Sequence, residues 1–184
     1  KDLANSLISI AAKREMARTY KMNIDHIKLQ EFARGFKFNE TEDQITCLNE
    51  VFNDLASAKP MDRLICGDVG FGKTEIALRA SFISSLNNFK VLIIAPTTLL
   101  ANQHYKNFKE RLHNYTNVEL ITRNTTKSNK SNILKKFESN NSNILIGTHA
   151  LLSLKFSNIN LGLIVVDEEQ HFGVAQKEKI RSLK

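Results

Sequence analysis

A glycine-rich stretch, GDVGFGKT at residues 67–74, carries the strongest chemical signal in the chain. Its spacing fits the pattern G-x-x-x-x-G-K-[ST], in which glycines let backbone N–H groups approach phosphate oxygens closely. A helical pattern follows it, so the positive end of a helix dipole would also face the anion. We expect Lys73 to bind the outer phosphates of a nucleotide and the Thr74 hydroxyl to ligate Mg²⁺. The predicted phosphate-binding residues are Gly67, Asp68, Val69, Gly70, Phe71, Gly72, Lys73 and Thr74.

Three consecutive acids follow an apolar run in the stretch LIVVDEEQHFG at residues 163–173. Neighbouring carboxylates repel one another, so the arrangement needs a cation nearby to be favourable. A phosphate-binding loop of this type requires a carboxylate at the end of a neighbouring strand to hold the Mg²⁺ of the nucleotide. Asp167 is therefore the predicted metal ligand, and Glu168 is the predicted base that polarises the attacking water. Glu169 is expected to be an ordinary surface acid.

Short apolar runs alternate with helical patterns through most of the chain. The strands and helices that they predict must position the glycine-rich stretch and the three acids. The runs are residues 64–66, 91–95, 118–122, 144–146 and 163–166, and the helical patterns between them are 74–87, 97–113 and 128–138. Strands that alternate with helices in this way predict an α/β fold with a parallel sheet flanked by helices. Continuously apolar strands are typical of parallel sheets, which are buried on both faces.

The first third of the chain has helical periodicity instead. Residues 1–33 are predicted to be helical, and residues 41–44 are predicted to open a second helix that ends before Pro60. Its expected apolar face consists of Ile45, Leu48, Val51, Phe52 and Leu55. We therefore divide the chain into a helical linker segment, residues 1–35, and a nucleotide-binding lobe, residues 36–184.

Composition limits the classes of protein to which the chain can belong. It has 184 residues, is 42% hydrophobic and carries a formal net charge of +7, which suits one globular domain. Its apolar runs are too short to span a bilayer and residues 1–20 show no secretion signal, so we expect no membrane partner. Cys47 and Cys66 lie in no metal-binding spacing and are expected to be buried, reduced thiols in the cytoplasm.

Most of the excess positive charge lies between residues 104 and 136. Only Glu110 and Glu119 oppose eight basic residues in this segment. The eight are Lys106, Lys109, Arg111, Arg123, Lys127, Lys130, Lys135 and Lys136. Such a segment indicates a polyanionic partner, although a solvated lysine-rich face has the same composition.

Four stretches together resemble a known family. GDVGFGKTEIALRA, APTTLLANQHY, IGTHALL and VVDEEQHFGV resemble motifs I, Ia, Ic and II of superfamily 2 helicases. MDRLICGDVGFGKTE and DEEQHFGV are most similar to the bacterial transcription-repair coupling factors, whose nearest relatives are the branch-migrating RecG helicases. The resemblance covers essentially the whole chain. It implies a RecA-like P-loop NTPase lobe with an N-terminal helical extension, and ATP and Mg²⁺ as cofactors.

The resemblance also implies an activity, namely ATP-driven translocation on double-stranded DNA. The coupling factors displace stalled RNA polymerase and recruit excision-repair proteins, and they do so through parts outside this lobe. Two alternatives stay open: a RecG-like branch-migrating helicase, and a module that binds nucleotide without turnover. The second arises because no motif III or second lobe follows motif II in these 184 residues, and the second lobe carries the arginine finger. A GTP-binding switch is disfavoured, because Asn132 replaces the aspartate of the guanine-reading N-K-x-D pattern.

Further site residues follow from the same resemblance. Those implied to recognise adenine are Phe36, Phe38 and Gln44, and the DNA-facing candidates are Thr97, Thr98, Gln103, Gly147, Thr148 and His149. Gln170 and His171 are candidates for coupling the nucleotide state to DNA. Some of these residues also have a structural interpretation: Thr41 and Gln44 fit a helix capping box, and Thr97 fits a helix N-cap. His171 stands where the family usually has arginine, and the role of Arg123 stays open.

Overall fold

The computed structural model describes residues 16–68, 70–139, 141–154, 156, 159–173, 176–177 and 179–180. The chain forms two compact units, Lys1–Ile76 and Ala77–Lys184. The first unit holds helix α1 (His26–Ala33), helix α2 (Glu42–Ala56) and the start of helix α3 (Lys73–Leu86). Leu48, Val51 and Leu55 are the buried residues of α2, as its periodicity predicts. Ile45 is 46% exposed, so the prediction that it belongs to the buried face is wrong.

Residues 17–25 depart from the helix predicted over residues 1–33, of which residues 1–15 lie outside the described structure. In this segment the backbone N–H groups of Thr19 and Met22 donate to the carbonyl oxygens of Ala58 and Leu55, at 2.9 and 3.0 Å. Met22 is buried. Because these bonds to the end of α2 replace the bonds of a helical turn, the tertiary contact overrides the helical periodicity. Helix α1 then begins after Asp25, whose carboxylate accepts from the N–H of Lys28 at 3.0 Å.

The strand predicted at residues 64–66 is also wrong, since these residues form no strand. Leu64 is 74% exposed, so the run lacks the two-sided burial that stabilises a parallel strand. Arg63, immediately before it, forms ion pairs with Asp54 at 2.7 Å and with Glu50. The segment that leads into the glycine-rich loop is therefore held to α2 by charge rather than by a sheet.

The second unit is built on a four-stranded parallel sheet. Its strands are β1 (Lys90–Ile94), β2 (Val118–Ile121), β3 (Ile144–Gly147) and β4 (Leu161–Val166), in the order β2-β3-β1-β4. Register pairs Ile94 with Gly147 on one side and with Val166 on the other. These strands confirm the other four apolar runs. Because neighbouring strands are parallel, their carboxyl ends lie at one edge of the sheet.

Helices α3, α4 (Thr98–Leu112) and α5 (Lys127–Glu138) confirm the three helical patterns, and the turns His149–Ser153 and Glu169–His171 are 3₁₀-helical. Helix α4 packs against β2 and β3, and α5 packs against β2. Two clusters of buried residues lie within the described part of this unit: one consists of Leu92, Ile121, Phe137, Leu145 and Leu151, and the other of Ile94, Leu152, Phe172 and Ile180. The second cluster underlies the carboxyl edge of the sheet at β1.

A buried lysine marks the opposite edge of the sheet. Lys90 is 2% exposed, and its Nζ donates to the carbonyl oxygen of Ser142 at 2.8 Å and to Oδ1 of Asn143 at 3.2 Å. The same Nζ lies 5.3 Å from the ring centroid of Phe137. Burial lowers the pKa of Lys90 below its ordinary value. These contacts tie the start of β1 to the residues before β3.

Candidate functional site

The glycine-rich loop of the first unit adopts a conformation that depends on its glycines. Gly70 and Gly72 have φ values of 89° and 84°, in the left-handed region that other residues rarely adopt. A Cβ on Gly72 would also lie 2.7 Å from Nε2 of Gln44. The N–H of Phe71 donates to the carbonyl oxygen of Asp68 at 3.1 Å and closes a turn. Val69 lies outside the described residues.

Lys73 is the first residue of α3, and its ammonium group folds back over the loop. Its Nζ donates to the carbonyl oxygen of Gly67 at 2.5 Å and to that of Asp68 at 3.3 Å. Thr74 follows in the first turn and is partly buried. A partly exposed ammonium at a helix N-terminus, on a loop with left-handed glycines, has the chemistry that binds phosphate.

The residues predicted to recognise adenine lie in the same unit, and one of them contacts the loop. Gln44 completes the capping box with Thr41, whose N–H donates to Oε1 of Gln44 at 3.0 Å. Its Nε2 donates to the carbonyl oxygen of Phe71 at 2.5 Å. Phe36 and Phe38 pack edge to face with ring centroids 5.6 Å apart, and Phe38 is 74% exposed. Gln44 therefore both caps α2 and holds the glycine-rich loop.

Two side chains beside the loop have shifted pKa values. The hydrogen bond to Asp54, together with the charges of Asp54 and Glu50, raises the pKa of Arg63. Burial raises the pKa of the Cys47 thiol, and the charge of Glu50 adds to this effect. Cys47 therefore stays a protonated thiol at neutral pH. Cys47 is only partly buried and Cys66 is exposed, so the prediction that both thiols are buried is wrong.

The carboxyl edge of the sheet in the second unit holds the other predicted residues. The N–H of Asp167 donates to the carbonyl oxygen of Ile94 at 2.9 Å, and the N–H of Ala95 donates to that of Gly147 at 2.9 Å. The segments that follow β1, β3 and β4 thus lie side by side. They contain the predicted motif Ia, motif Ic and motif II residues. Ligand sites of open α/β sheets are built at this edge.

Asp167 has a partner that the sequence did not reveal. Its Oδ2 lies 2.7 Å from Nε2 of His104, on helix α4. Sequence reasoning missed His104 because the two residues are 63 positions apart. One signal could have indicated it: His104 is a polar residue in the stripe formed by Ala101, Phe108 and Leu112, the buried residues of α4.

The next residue, Glu168, adopts a left-handed backbone conformation with a φ of 53°. Its Oε2 accepts a hydrogen bond from Nε2 of Gln170, and its carbonyl oxygen accepts from the N–H of His171 at 2.9 Å. Residues other than glycine adopt this conformation rarely and at a cost, and such residues are enriched at functional sites. Glu169 forms an ion pair with Lys177 at 3.5 Å, in keeping with the surface position predicted for it.

The DNA-facing candidates occupy different environments. Thr97 is exposed and caps α4, since its Oγ1 accepts from the N–H of Leu100 at 3.2 Å. Gln103 and His149 are exposed, Thr98 is partly buried, and Thr148 is 6% exposed. A Cβ on Gly147 would lie 2.2 Å from the carbonyl oxygen of Ile121, so this glycine is required by packing.

The donors present fit Mg²⁺ held together with a nucleotide. Mg²⁺ prefers oxygen ligands and is usually bound through one or two carboxylates and substrate phosphates, without an all-protein cage. Thr74 in the first unit has a hydroxyl oxygen, and Asp167 in the second unit has a carboxylate. Within the described residues, no cluster of three acidic, histidine or cysteine side chains could hold an ion by itself. A Mg²⁺ ion bound by either residue would therefore take its other ligands from phosphate and water.

Residues 41–184 match the DEAD/DEAH box helicase family. The chain belongs to this family. The transcription-repair-coupling factor of Haemophilus influenzae is 44% identical over 185 residues, which cover 100% of this chain and 16% of the relative. That of Bacillus subtilis is 43% identical over 184 residues, which again cover 100% of this chain and 16% of the relative. The chain thus spans about a sixth of the curated relatives it matches, and the predicted resemblance to the coupling factors is confirmed.

Solved structures confirm the RecA-like helicase fold. RecG bound to a three-way DNA junction is 34% identical with a TM-score of 0.82, and the match covers 90% of this chain and 23% of RecG. The UvsW helicase of bacteriophage T4 has a TM-score of 0.61 at 17% identity, covering 88% of this chain and 57% of UvsW. Within the described residues, every helix is too short or too polar to span a membrane.

Proposed function

We propose that the chain is the ATP-binding lobe of a double-stranded DNA translocase that displaces stalled RNA polymerase and couples transcription to excision repair. The supporting similarity is the 44% identity to a transcription-repair-coupling factor over the whole chain. The observation that carries ATP binding is the loop itself, with left-handed Gly70 and Gly72 and with Lys73 at the head of α3. RNA polymerase and excision-repair proteins would contact other parts of a longer protein. We place this activity in the bacterial cytoplasm.

In this proposal the residues around the phosphates and the metal ion have separate roles. Lys73 exchanges its bonds to the carbonyl oxygens of Gly67 and Asp68 for bonds to phosphate oxygens, which are stronger because both partners are charged. Thr74 and Asp167 would each offer an oxygen ligand to Mg²⁺, and the ion would supply positive charge against the phosphates. Glu168 orients and polarises the attacking water, and Gln170 holds its carboxylate.

The remaining predicted residues recognise the base, the DNA and the nucleotide state. Phe36, Phe38 and Gln44 would contact adenine, and the exposed ring of Phe38 is suited to stacking. Gly147 is the last residue of β3, and the other DNA-facing candidates follow β1 or β3 in the chain: Thr97, Thr98, Gln103, Thr148 and His149. Gln170 and His171 would transmit the nucleotide state to DNA. The contacts of Gln170 with Glu168 and of the His171 N–H with the Glu168 carbonyl support this coupling role.

A RecG-like branch-migrating helicase is the second candidate, favoured by the TM-score of 0.82 to RecG. The deciding experiment uses the full-length protein and a transcription complex stalled on linear DNA. We expect ATP-dependent release of RNA polymerase, and no release by the Lys73→Ala variant. Regression of a model replication fork without release of polymerase would contradict the coupling-factor proposal and support the RecG-like one.

We also propose that the 184-residue chain alone binds ATP weakly and hydrolyses it very slowly. In superfamily 2 motors the arginine finger lies on a second lobe, and such an arginine raises the rate by roughly 10³–10⁵. DNA-stimulated hydrolysis by this chain at the rate of the full-length protein would overturn that statement.

A further inference from the structure

The contact between His104 and Asp167 joins helix α4 to the carboxylate at the end of β4. The two side chains are 13% and 25% exposed, and Nε2 lies 2.7 Å from Oδ2. An ionised carboxylate only accepts hydrogen bonds, so Nε2 of His104 carries the donated hydrogen. His104 is therefore the donor of this hydrogen bond and Asp167 is the acceptor.

The histidine ring is held in place by its surroundings. It packs edge to face on Phe108, with centroids 6.3 Å apart and an interplanar angle of 85°. Its other nitrogen, Nδ1, is buried and has no hydrogen-bond partner among the described residues. Phe108 is fully buried, so the ring rests on a rigid support. Among the described residues, the hydrogen bond to Asp167 is thus the polar contact that this ring makes.

Asp167 is fixed at two points as a result. Its backbone N–H is bonded to the carbonyl oxygen of Ile94, which places its Cα at the end of the sheet. The bond from His104 to one carboxylate oxygen sets the rotation of the carboxylate plane. Metal-ligating carboxylates commonly need such a partner, and loss of the partner typically weakens metal binding by about 10- to 100-fold.

We propose that His104 is a positioning residue that orients the Asp167 carboxylate for Mg²⁺-dependent nucleotide binding. This inference rests on the proposed function of Asp167. It assigns to helix α4, whose first turn holds the DNA-facing candidates Thr97 and Thr98, a direct hydrogen bond to the metal-binding carboxylate. A displacement of α4 along the sheet would release the Asp167 carboxylate, because the 2.7 Å hydrogen bond from His104 is lost after a shift of about 1 Å.

The test measures Mg²⁺-dependent binding of adenylyl imidodiphosphate, a non-hydrolysable ATP analogue, by calorimetry in MgCl₂ and in EDTA. We expect His104→Leu to raise the Mg²⁺ concentration at half-maximal effect by about 10-fold or more, and to leave binding in EDTA unchanged. His104→Gln, whose amide nitrogen can reach the position of Nε2, should restore most of the loss. His104→Asn, which is shorter, should not. His113→Leu removes an exposed histidine at the end of the same helix and should change nothing.

Each outcome is decisive. An unchanged Mg²⁺ dependence in His104→Leu overturns the inference, as does an equal loss in MgCl₂ and in EDTA, which indicates a purely structural role. If His104→Leu fails to fold, the comparison of the Gln and Asn variants decides, and equal Mg²⁺ dependence in those two overturns the inference. Failure of the wild-type chain to bind the analogue overturns the proposed function and this inference with it.

Discussion

Gly70 and Gly72 show how two residues with the same backbone conformation can differ in what they tolerate. Both have φ near +85°, within a few degrees, but a Cβ on Gly70 would meet no atom within 4 Å. A Cβ on Gly72 would meet the amide of Gln44, which also bonds the carbonyl oxygen of Phe71. Gly72 is therefore constrained by its backbone and by its neighbour, and Gly70 by its backbone alone.

We expect Gly70→Ala to lower the free energy of unfolding by about 1–2 kcal/mol, the cost of a left-handed alanine. Gly72→Ala should cost about 1 kcal/mol more, because Gln44 must move and lose its hydrogen bond to the loop. Urea unfolding of both variants measures the difference. Equal losses would contradict the structure, and in a Gln44→Ala background, which already lacks this hydrogen bond, the two glycine substitutions should cost about the same.

Sequence alone predicts residues whose chemistry depends on local spacing. Lys73 and Thr74 follow from the pattern of residues 67–74, and Asp167 and Glu168 from their place after an apolar run. His104 does not follow, because its partner is brought to it by the sheet rather than by neighbouring sequence. The left-handed conformation of Glu168 is equally invisible, since glutamate has no preference for it.

At the scale of elements, the first turn of helix α4 depends on a residue that is also a candidate for DNA contact. Thr97 is its N-cap, and the bond from Leu100 N–H to Thr97 Oγ1 satisfies one of the unpaired donors of the first turn. The same residue is a DNA-facing candidate, so loss of DNA binding in a Thr97 variant would be ambiguous unless stability is measured as well.

We expect Thr97→Ala to destabilise the chain by about 1 kcal/mol, because the N-cap hydroxyl is lost. Thr97→Ser keeps an accepting hydroxyl and should retain most of the stability. Thr98→Ala is the matched control, since Thr98 is the first residue of the helix and its hydroxyl is not the capping group. Thermal unfolding distinguishes them, and a loss in Thr98→Ala as large as that in Thr97→Ala would refute the capping role.

Elements are predictable from sequence where burial and periodicity agree. The strands β1 and β3 are buried at every position, so a continuous apolar run identifies them. The apolar run at residues 64–66 predicts a strand that does not form, because Arg63 holds this segment to α2 and Leu64 stays exposed. Residues 17–25 have helical periodicity but do not form a helix, since backbone N–H groups in this segment donate to carbonyl oxygens at the end of α2. Periodicity cannot predict such a tertiary contact.

At the scale of the whole molecule, the chain belongs to the DEAD/DEAH box helicase family and spans 16% of relatives such as the coupling factor of Haemophilus influenzae. Its net charge of +7 and its basic segment between residues 104 and 136 favour a polyanionic partner such as DNA. We expect nucleotide binding to be a property of this chain, and we propose polymerase displacement only for a longer protein that contains it. The central claim is therefore that residues 67–74 bind ATP.

The most direct test of that claim is calorimetric titration of the wild-type chain and of Lys73→Ala with ATP and Mg²⁺. We predict that the variant keeps the circular dichroism spectrum and melting temperature of the wild type, and that it binds ATP about 10- to 100-fold more weakly, because a charge-assisted bond to phosphate is lost. Lys28→Ala, which removes an exposed lysine of α1, should bind like the wild type. Equal ATP affinity in Lys73→Ala and the wild type would contradict the claim.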